Sequence, residues 1–269
     1  MTAPGEPMSD ILFEVEDHVA TITLNRPDRL NAISGPMLSS LSDKLLEYDQ
    51  ARDVRVIVLT GAGRGFCAGL DLKDTAAESG GSGDLAAGGG GVPKIAETPP
   101  FVLRRLDTPV LCALNGPAAG YGMDLALGCD FVIASDQATF MPPVNRGVIP
   151  ESGGTWLLPR LVGWQKACEI TLLARKLAAE DIERLGLANR VIPHDAFEAE
   201  VAGWAAELAG RAPLAIAAAK RSMRLGMDST FEANSHHVMA ELMQLFSSQD
   251  FREGLASFIE KRAPKYEGR

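Results

Sequence analysis

The chain has 269 residues, 46% of them hydrophobic and 23% charged. At about 150 residues per domain, that length supports one or two domains with a sizeable core and excludes a peptide or a disulfide miniprotein. Lys and Arg number 26 against 35 Asp and Glu, a formal net charge of −9, which argues against nucleic acid or an anionic membrane surface as the main partner.

The N-terminal MTAPGEPMSD has neither the basic nor the apolar region of a signal peptide, so residues 1–9 read as a disordered tail. No run approaches the roughly 18 uncharged apolar residues of a membrane span. Cys67, Cys112, Cys129 and Cys168 show no CxxC spacing and read as reduced thiols of a cytoplasmic protein. None of the four histidines is spaced as a metal-ligand pair, so no metal is expected.

Residues 11–24, ILFEVEDHVATITL, alternate apolar and polar side chains on both sides of Asp17 and predict two short strands and a turn. Ser34-Gly35-Pro36 reads as a helix start, after which Met37, Leu38, Leu41, Leu45 and Tyr48 recur at helical spacing. Val54 to Thr60, VRVIVLT, is a strand apolar enough to be buried on both faces. The following Gly61 to Phe66 turn is Gly-rich, but its sixth position is Phe66 and no GK[ST] follows, so it does not meet a dinucleotide or P-loop pattern. Residues 79–91, SGGSGDLAAGGGG, cannot build a packed core and read as a flexible insertion.

A strand over 110–114 runs into a second Gly-rich turn, 116–122, and a helix over 123–128, with short strands near 131–134 and 138–140. The repeated order of strand, Gly-rich turn and helix points to an α/β fold. From Asp195 onward the composition turns to Ala-rich helices, near 195–209, 213–226, 231–246 and 250–262, whose apolar stripes suit subunit packing as well as packing within the chain.

Two Gly-rich turns leaving buried strands can present backbone N–H groups with no side chain in the way, and paired donors of that kind stabilise an oxyanion. The chain resembles the enoyl-CoA hydratase/isomerase (crotonase) superfamily through LNRPDRLNAIS at 24–34, GFCAGLDLK at 65–73, LNGPAAGYGMDLALGCD at 114–130, GVIPESGGTWLLPRLVG at 147–163 and FREGLASFIEKRAP at 251–264. The resemblance implies a spiral of repeated ββα units over 10–194, followed by a helical trimerisation region over 195–269. It also implies that the backbone amides of Ala68 and Tyr121 hold the thioester carbonyl. Many members have Gly where this chain has Tyr121.

Two carboxylates fall at acidic positions of the family. Asp124 matches the first catalytic Glu of hydratases; Glu151, at the start of a helix entered through Pro150, matches an acid of several isomerases and of a dehalogenase branch. Acidic residues in a first helical turn also suit the helix dipole without any chemistry. Hydratases use a second Glu some twenty residues beyond the first. Here the stretch Met141-Pro-Pro-Val-Asn145 is one residue shorter and Val144 or Asn145 occupies that place. Hydration needs a group to polarise water, whereas moving a double bond needs groups that shuttle a proton along one face. Isomerisation of an enoyl- or dienoyl-CoA, with Glu151 as main shuttle and Asp124 as partner, is therefore expected ahead of 2-enoyl-CoA hydration, of dehalogenase or hydrolase chemistry, and of a non-catalytic CoA-thioester binder.

For the CoA portion, which enters as part of the substrate with no separate cofactor, the resemblance implies Arg29, Lys73 and Lys261 near the phosphates. It places Ala68, Leu70, Asp71 and Leu72 around the adenine. It further implies a homotrimer or dimer of trimers.

Overall fold

The computed structural model describes residues 9–71 and 97–269. Residues 1–8 of the tail expected over 1–9, the Gly-rich 79–91 segment, Leu72 and Lys73 lie outside the described residues.

Strands β1 (Ile11–Glu16) and β2 (Val19–Leu24) form an antiparallel hairpin, from Ile11 opposite Leu24 to Glu16 opposite Val19. Asp17 and His18, at φ 46° and 68°, make its two-residue turn. Helix α1 (Gly35–Gln50) follows and buries Met37, Leu41, Leu45 and Tyr48, the stripe its sequence spacing predicts. Then come β3 (Val56–Gly61), a short helix α2 (Pro99–Leu103), β4 (Val110–Leu114) and β5 (Pro117–Ala119).

Helix α3 (Tyr121–Leu127) has every residue buried, and β6 (Phe131–Ser135), β7 (Thr139–Met141) and a 3₁₀ turn at Val144–Arg146 lead on to α4 (Gly154–Val162). After these come α5 (Trp164–Leu173), β8 (Leu177–Ala178), α6 (Ala179–Arg184) and β9 (Arg190–Ile192). The chain ends in α7 (Phe197–Ala209), α8 (Pro213–Gly226), α9 (Phe231–Phe246) and α10 (Gln249–Glu260).

The larger sheet has the order β1-β2-β3-β4-β6-β9, with only the β1–β2 pair antiparallel. Its central strands β3 and β4 are buried on both faces, which is why their sequences read as continuous apolar runs. Ile57, Leu59, Cys112 and Leu114 point into the main core with α1 and α3, while Val58, Leu111 and Ala113 meet Phe197, Val201 and Ala205 of α7. Each fully buried Leu or Ile here contributes about 1.5–3 kcal/mol. A second sheet, β5-β7-β8, sits beside the first, and a bridge between Cys67 and Ala118 joins its start to the loop after β3.

Two boundaries differ from expectation where the site lies. Helix α3 begins at Tyr121 rather than Met123, so the Tyr121 amide stands at the helix N-terminus. Glu151 does not open a helix: residues 151–153 form a turn, Gly153 adopts φ 113°, and α4 starts only at Gly154. The C-terminal helices are tied to the core through Lys220, whose ammonium reaches Asp130 Oδ2 at 2.5 Å and the Thr108 carbonyl at 2.8 Å.

Candidate active site

Buried asparagines shape the turn after β3. Asn31, at φ 56°, donates to the carbonyls of Ala62 (3.0 Å) and Gly65 (2.7 Å). Asn115 donates to Gly63 at 2.9 Å and Gly65 at 3.2 Å, and accepts from the Gly61 amide at 3.3 Å. A loop whose carbonyls are satisfied by fixed side chains holds its remaining amides in one place. Sequence reading did not single out Asn31 or Asn115; their only signal was their position beside Gly-rich turns.

Residues 68–71 run beside 30–33 as a single parallel bridge, Ile33 to Leu70. Ala68 N–H donates to the Leu30 carbonyl at 2.9 Å, Ile33 N–H to Gly69 at 2.8 Å, and Asp71 N–H to Ile33 at 2.9 Å. The expectation that Ala68 supplies an oxyanion donor is therefore corrected, because its N–H is already spent on a neighbouring strand. In a parallel pairing alternate amides face opposite edges, so Leu70 N–H is the one turned away, and among the described residues it meets no acceptor.

Gly69, at φ 101°, brings this segment against the start of α3: a Cβ there would stand 3.0 Å from the Ala119 carbonyl and 3.7 Å from Tyr121 N. Tyr121 is the first residue of α3, so its N–H has no carbonyl within the helix. The preceding Gly120 N–H is taken by Met141 at 2.9 Å. Among the described residues Leu70 and Tyr121 thus offer two unspent amides on facing segments, donors of the kind that stabilise an enolate oxygen.

Asp124 lies one turn further along α3, buried to 2% exposure. Its Oδ2 accepts the Ser152 N–H at 3.0 Å, and Gly154 packs so closely that a Cβ there would collide with Oδ1. Burial pushes its carboxyl from an ordinary 3.8 up to about 6, with the charge of Glu151 adding to the rise against the Ser152 and Gly154 amides. The sequence thus folds the two expected acids into one neighbourhood, Asp124 buried and Glu151 exposed on the adjoining turn. Val144 and Asn145, where hydratases carry their second Glu, sit in a 3₁₀ turn and bring no carboxylate. Cys67 is buried and its thiol is pushed up to about 12, so it is no nucleophile at neutral pH.

The residues expected around CoA divide. Asp71 is buried and pairs with Arg29 at 2.8 Å and Arg26 at 3.1 Å, which holds Arg29, half-exposed, at the rim of the loop. Leu70 is partly exposed beside them. Lys261 caps α10 in a left-handed conformation and is exposed, with no ion pair among the described residues. A cavity of 760 Å³ between β2–β4 and α7 has none of these residues in its lining. The unspent amides and the two neighbouring carboxyls, rather than that cavity, mark the candidate site.

The enoyl-CoA hydratase/isomerase family profile matches residues 14–269. The chain belongs to the enoyl-CoA hydratase/isomerase family. It is 39% identical over 262 residues to a probable enoyl-CoA hydratase of Rhodobacter capsulatus, covering 96% of this chain and 98% of that one. To the 1,2-epoxyphenylacetyl-CoA isomerase of Escherichia coli K12 it is 36% identical over 264 residues, 97% and 100% of the two chains. The crystal structure of enoyl-CoA hydratase from Bacillus anthracis superposes with a TM-score of 0.86 at 30% identity, over 97% of this chain and 100% of that one. As a member of the enoyl-CoA hydratase/isomerase family, the protein is an enzyme acting on CoA thioesters.

Proposed function

We propose that the protein shifts a carbon–carbon double bond in an enoyl- or dienoyl-CoA. The observation that carries this reading is the pairing of buried Asp124 with Glu151 at a site where 144–145 supply no second hydratase carboxylate. The thioester oxygen is held by the Leu70 and Tyr121 amides, so charge developing on it meets donors already in place. Glu151 removes the proton at C2. Asp124, which keeps a proton to higher pH than an ordinary carboxyl, returns one at C4. Proton transfer from Glu151 to Asp124 then resets the pair, so the reaction neither consumes nor releases a proton overall. CoA enters within the substrate, with Arg29, Asp71 and Leu70 at the mouth.

Hydration of a 2-enoyl-CoA is the second reading, favoured by the hydratase name of the 39% identical relative. In that reading Asp124 and Glu151 hold the water. Conversion of a 3-enoyl-CoA by the purified protein, lost in Glu151→Gln, supports isomerisation; rapid hydration of a 2-enoyl-CoA that survives Glu151→Gln overturns it. Binding of acetoacetyl-CoA with neither product marks a non-catalytic binder. In the same reading residues 10–194 carry the site, and the apolar faces of the helices after 195 assemble a homotrimer or a dimer of trimers.

A further inference from the structure

Tyr121 enters the site twice, through its amide and through its phenol. Its side chain is buried to 5% exposure, and among the described residues its hydroxyl has no hydrogen-bond partner. A buried, unpaired hydroxyl is destabilising relative to a paired one, and a phenylalanine would fill the same space without that cost. The groups whose charge acts on the phenol are Cys67, Glu151 and Asp124. Cys67 stays a protonated thiol. Asp124 already accepts the Ser152 amide and is crowded by Gly154. Glu151 is exposed, stands on a turn rather than in a helix, and among the described residues its carboxylate accepts no hydrogen bond. The Ser152–Asp124 bond holds the turn that carries Glu151 against the helix that carries Tyr121, so a donor without an acceptor and an acceptor without a donor stand on two joined segments.

We infer that Tyr121 is a positioning residue: its phenol donates to the Glu151 carboxylate when that side chain turns inward over the bound acyl thioester. The inference rests on the reading of Glu151 as proton shuttle. One carboxylate oxygen is then fixed by the phenol while the other faces C2. Because the amide of the same residue holds the thioester oxygen, Tyr121 sets the distance between the enolate oxygen and the base. Near-attack geometry of this kind separates a productive complex from a merely bound one.

Tyr121→Phe removes one oxygen and keeps the amide, the ring and the packing. With a 3-enoyl-CoA as substrate, kcat is expected to fall about 10- to 100-fold, the worth of one hydrogen bond to a charged group. KM is expected to stay within about twofold, as for an interaction made on the way to the transition state. The melting temperature is expected to hold or rise, because an orphaned hydroxyl has gone. An unchanged kcat overturns the inference, and so does a drop in kcat accompanied by a lowered melting temperature, which marks a packing role. Glu151→Gln measured in parallel separates the two failures. Full isomerisation in that variant sinks the shuttle reading and this inference together, whereas loss there with Tyr121→Phe fully active sinks only the role of the phenol.

Discussion

Ser152 donates its backbone N–H to Asp124 Oδ2 at 3.0 Å, tying the first turn of α3 to the loop that carries Glu151. Gly154 completes the clamp, since its missing Cβ leaves the room that Asp124 Oδ1 occupies. Gly154→Ala is expected to push Asp124 and the 151–153 turn apart. The clash is between a short, buried side chain and backbone, and neither can swing clear. A stability loss of about 1–3 kcal/mol should accompany a disproportionate loss of kcat, read by thermal melting and by turnover on the same preparation. Wild-type kcat in Gly154→Ala would show that the clamp does not govern the chemistry.

The raised carboxyl of Asp124 makes a pH prediction with a definite sign. Its ordinary value is 3.8 and its folded value about 6, so the folded state binds the proton more tightly than the unfolded one. Stability from this group is then full below pH 3.8 and is lost as pH rises towards about 6. Asp124→Asn should be more stable than the parent at pH 8, by up to about 3 kcal/mol, with the gap closing by about pH 4. Denaturant melts at the two pH values test it. In kinetics, kcat/KM for isomerisation should fall above a limb near pH 6 that is absent from Asp124→Asn; a flat profile would remove Asp124 from the proton path.

Much of the fold was legible because its elements carry long, unambiguous patterns. The β4 strand lies at 110–114 as its VLCAL run predicts, and Met37, Leu41 and Leu45 mark the buried face of α1. Strands β5, β8 and β9, of two or three residues, are too short for any alternation to show. At the site, the residue types of Asp124 and Glu151 were readable, but the choice of oxyanion donor was not. That choice depends on which amides of 68–71 face residues 30–33, a matter of register between segments 37 positions apart in the Ile33–Leu70 bridge. The unpaired phenol of Tyr121 is equally a property of its surroundings, invisible in its own identity.

The donor assignment can be separated by proline substitution, which deletes a single N–H. Leu70→Pro should cost on the order of 100-fold or more in kcat, the usual effect of losing one oxyanion donor. Ala68→Pro removes the bond to the Leu30 carbonyl, so it should show mainly as lost stability. Turnover normalised to the folded fraction distinguishes them. The reverse ranking would return the donor role to Ala68.

Lys220 is buried at 7% exposure and bonds Asp130 at 2.5 Å and the Thr108 carbonyl at 2.8 Å, while Asp130 also accepts the Val110 amide at 2.7 Å. Lys220→Met keeps the aliphatic packing but leaves the partly exposed Asp130 without its cation. The expected loss is about 1–3 kcal/mol, seen as a melting temperature lower by several degrees, with kcat little changed because the bonds of the pair run to Thr108 and Val110 and not to Asp124 or Glu151. A melting temperature equal to the parent's would show that the α8 tie is not stabilising.

Assembly is tested at the C-terminal helices, where Phe231 and Phe258 are each 82% exposed and Ile259 70% exposed. Large apolar side chains clustered on a surface mark a contact with another protein surface. In a closed ring each subunit repeats that contact, so one substitution strikes every interface. For a chain of 28.6 kDa, light scattering should give about three or six times the chain mass if the proposed trimer or dimer of trimers forms. Phe258→Asp places a charge in the contact and should lower that mass. Its effect on kcat then reports whether the site needs the assembled form, because any change in turnover without a change in mass would have to arise within one subunit. A monomeric parent protein would refute the assembly proposal and leave the apolar face of α10 to some other partner.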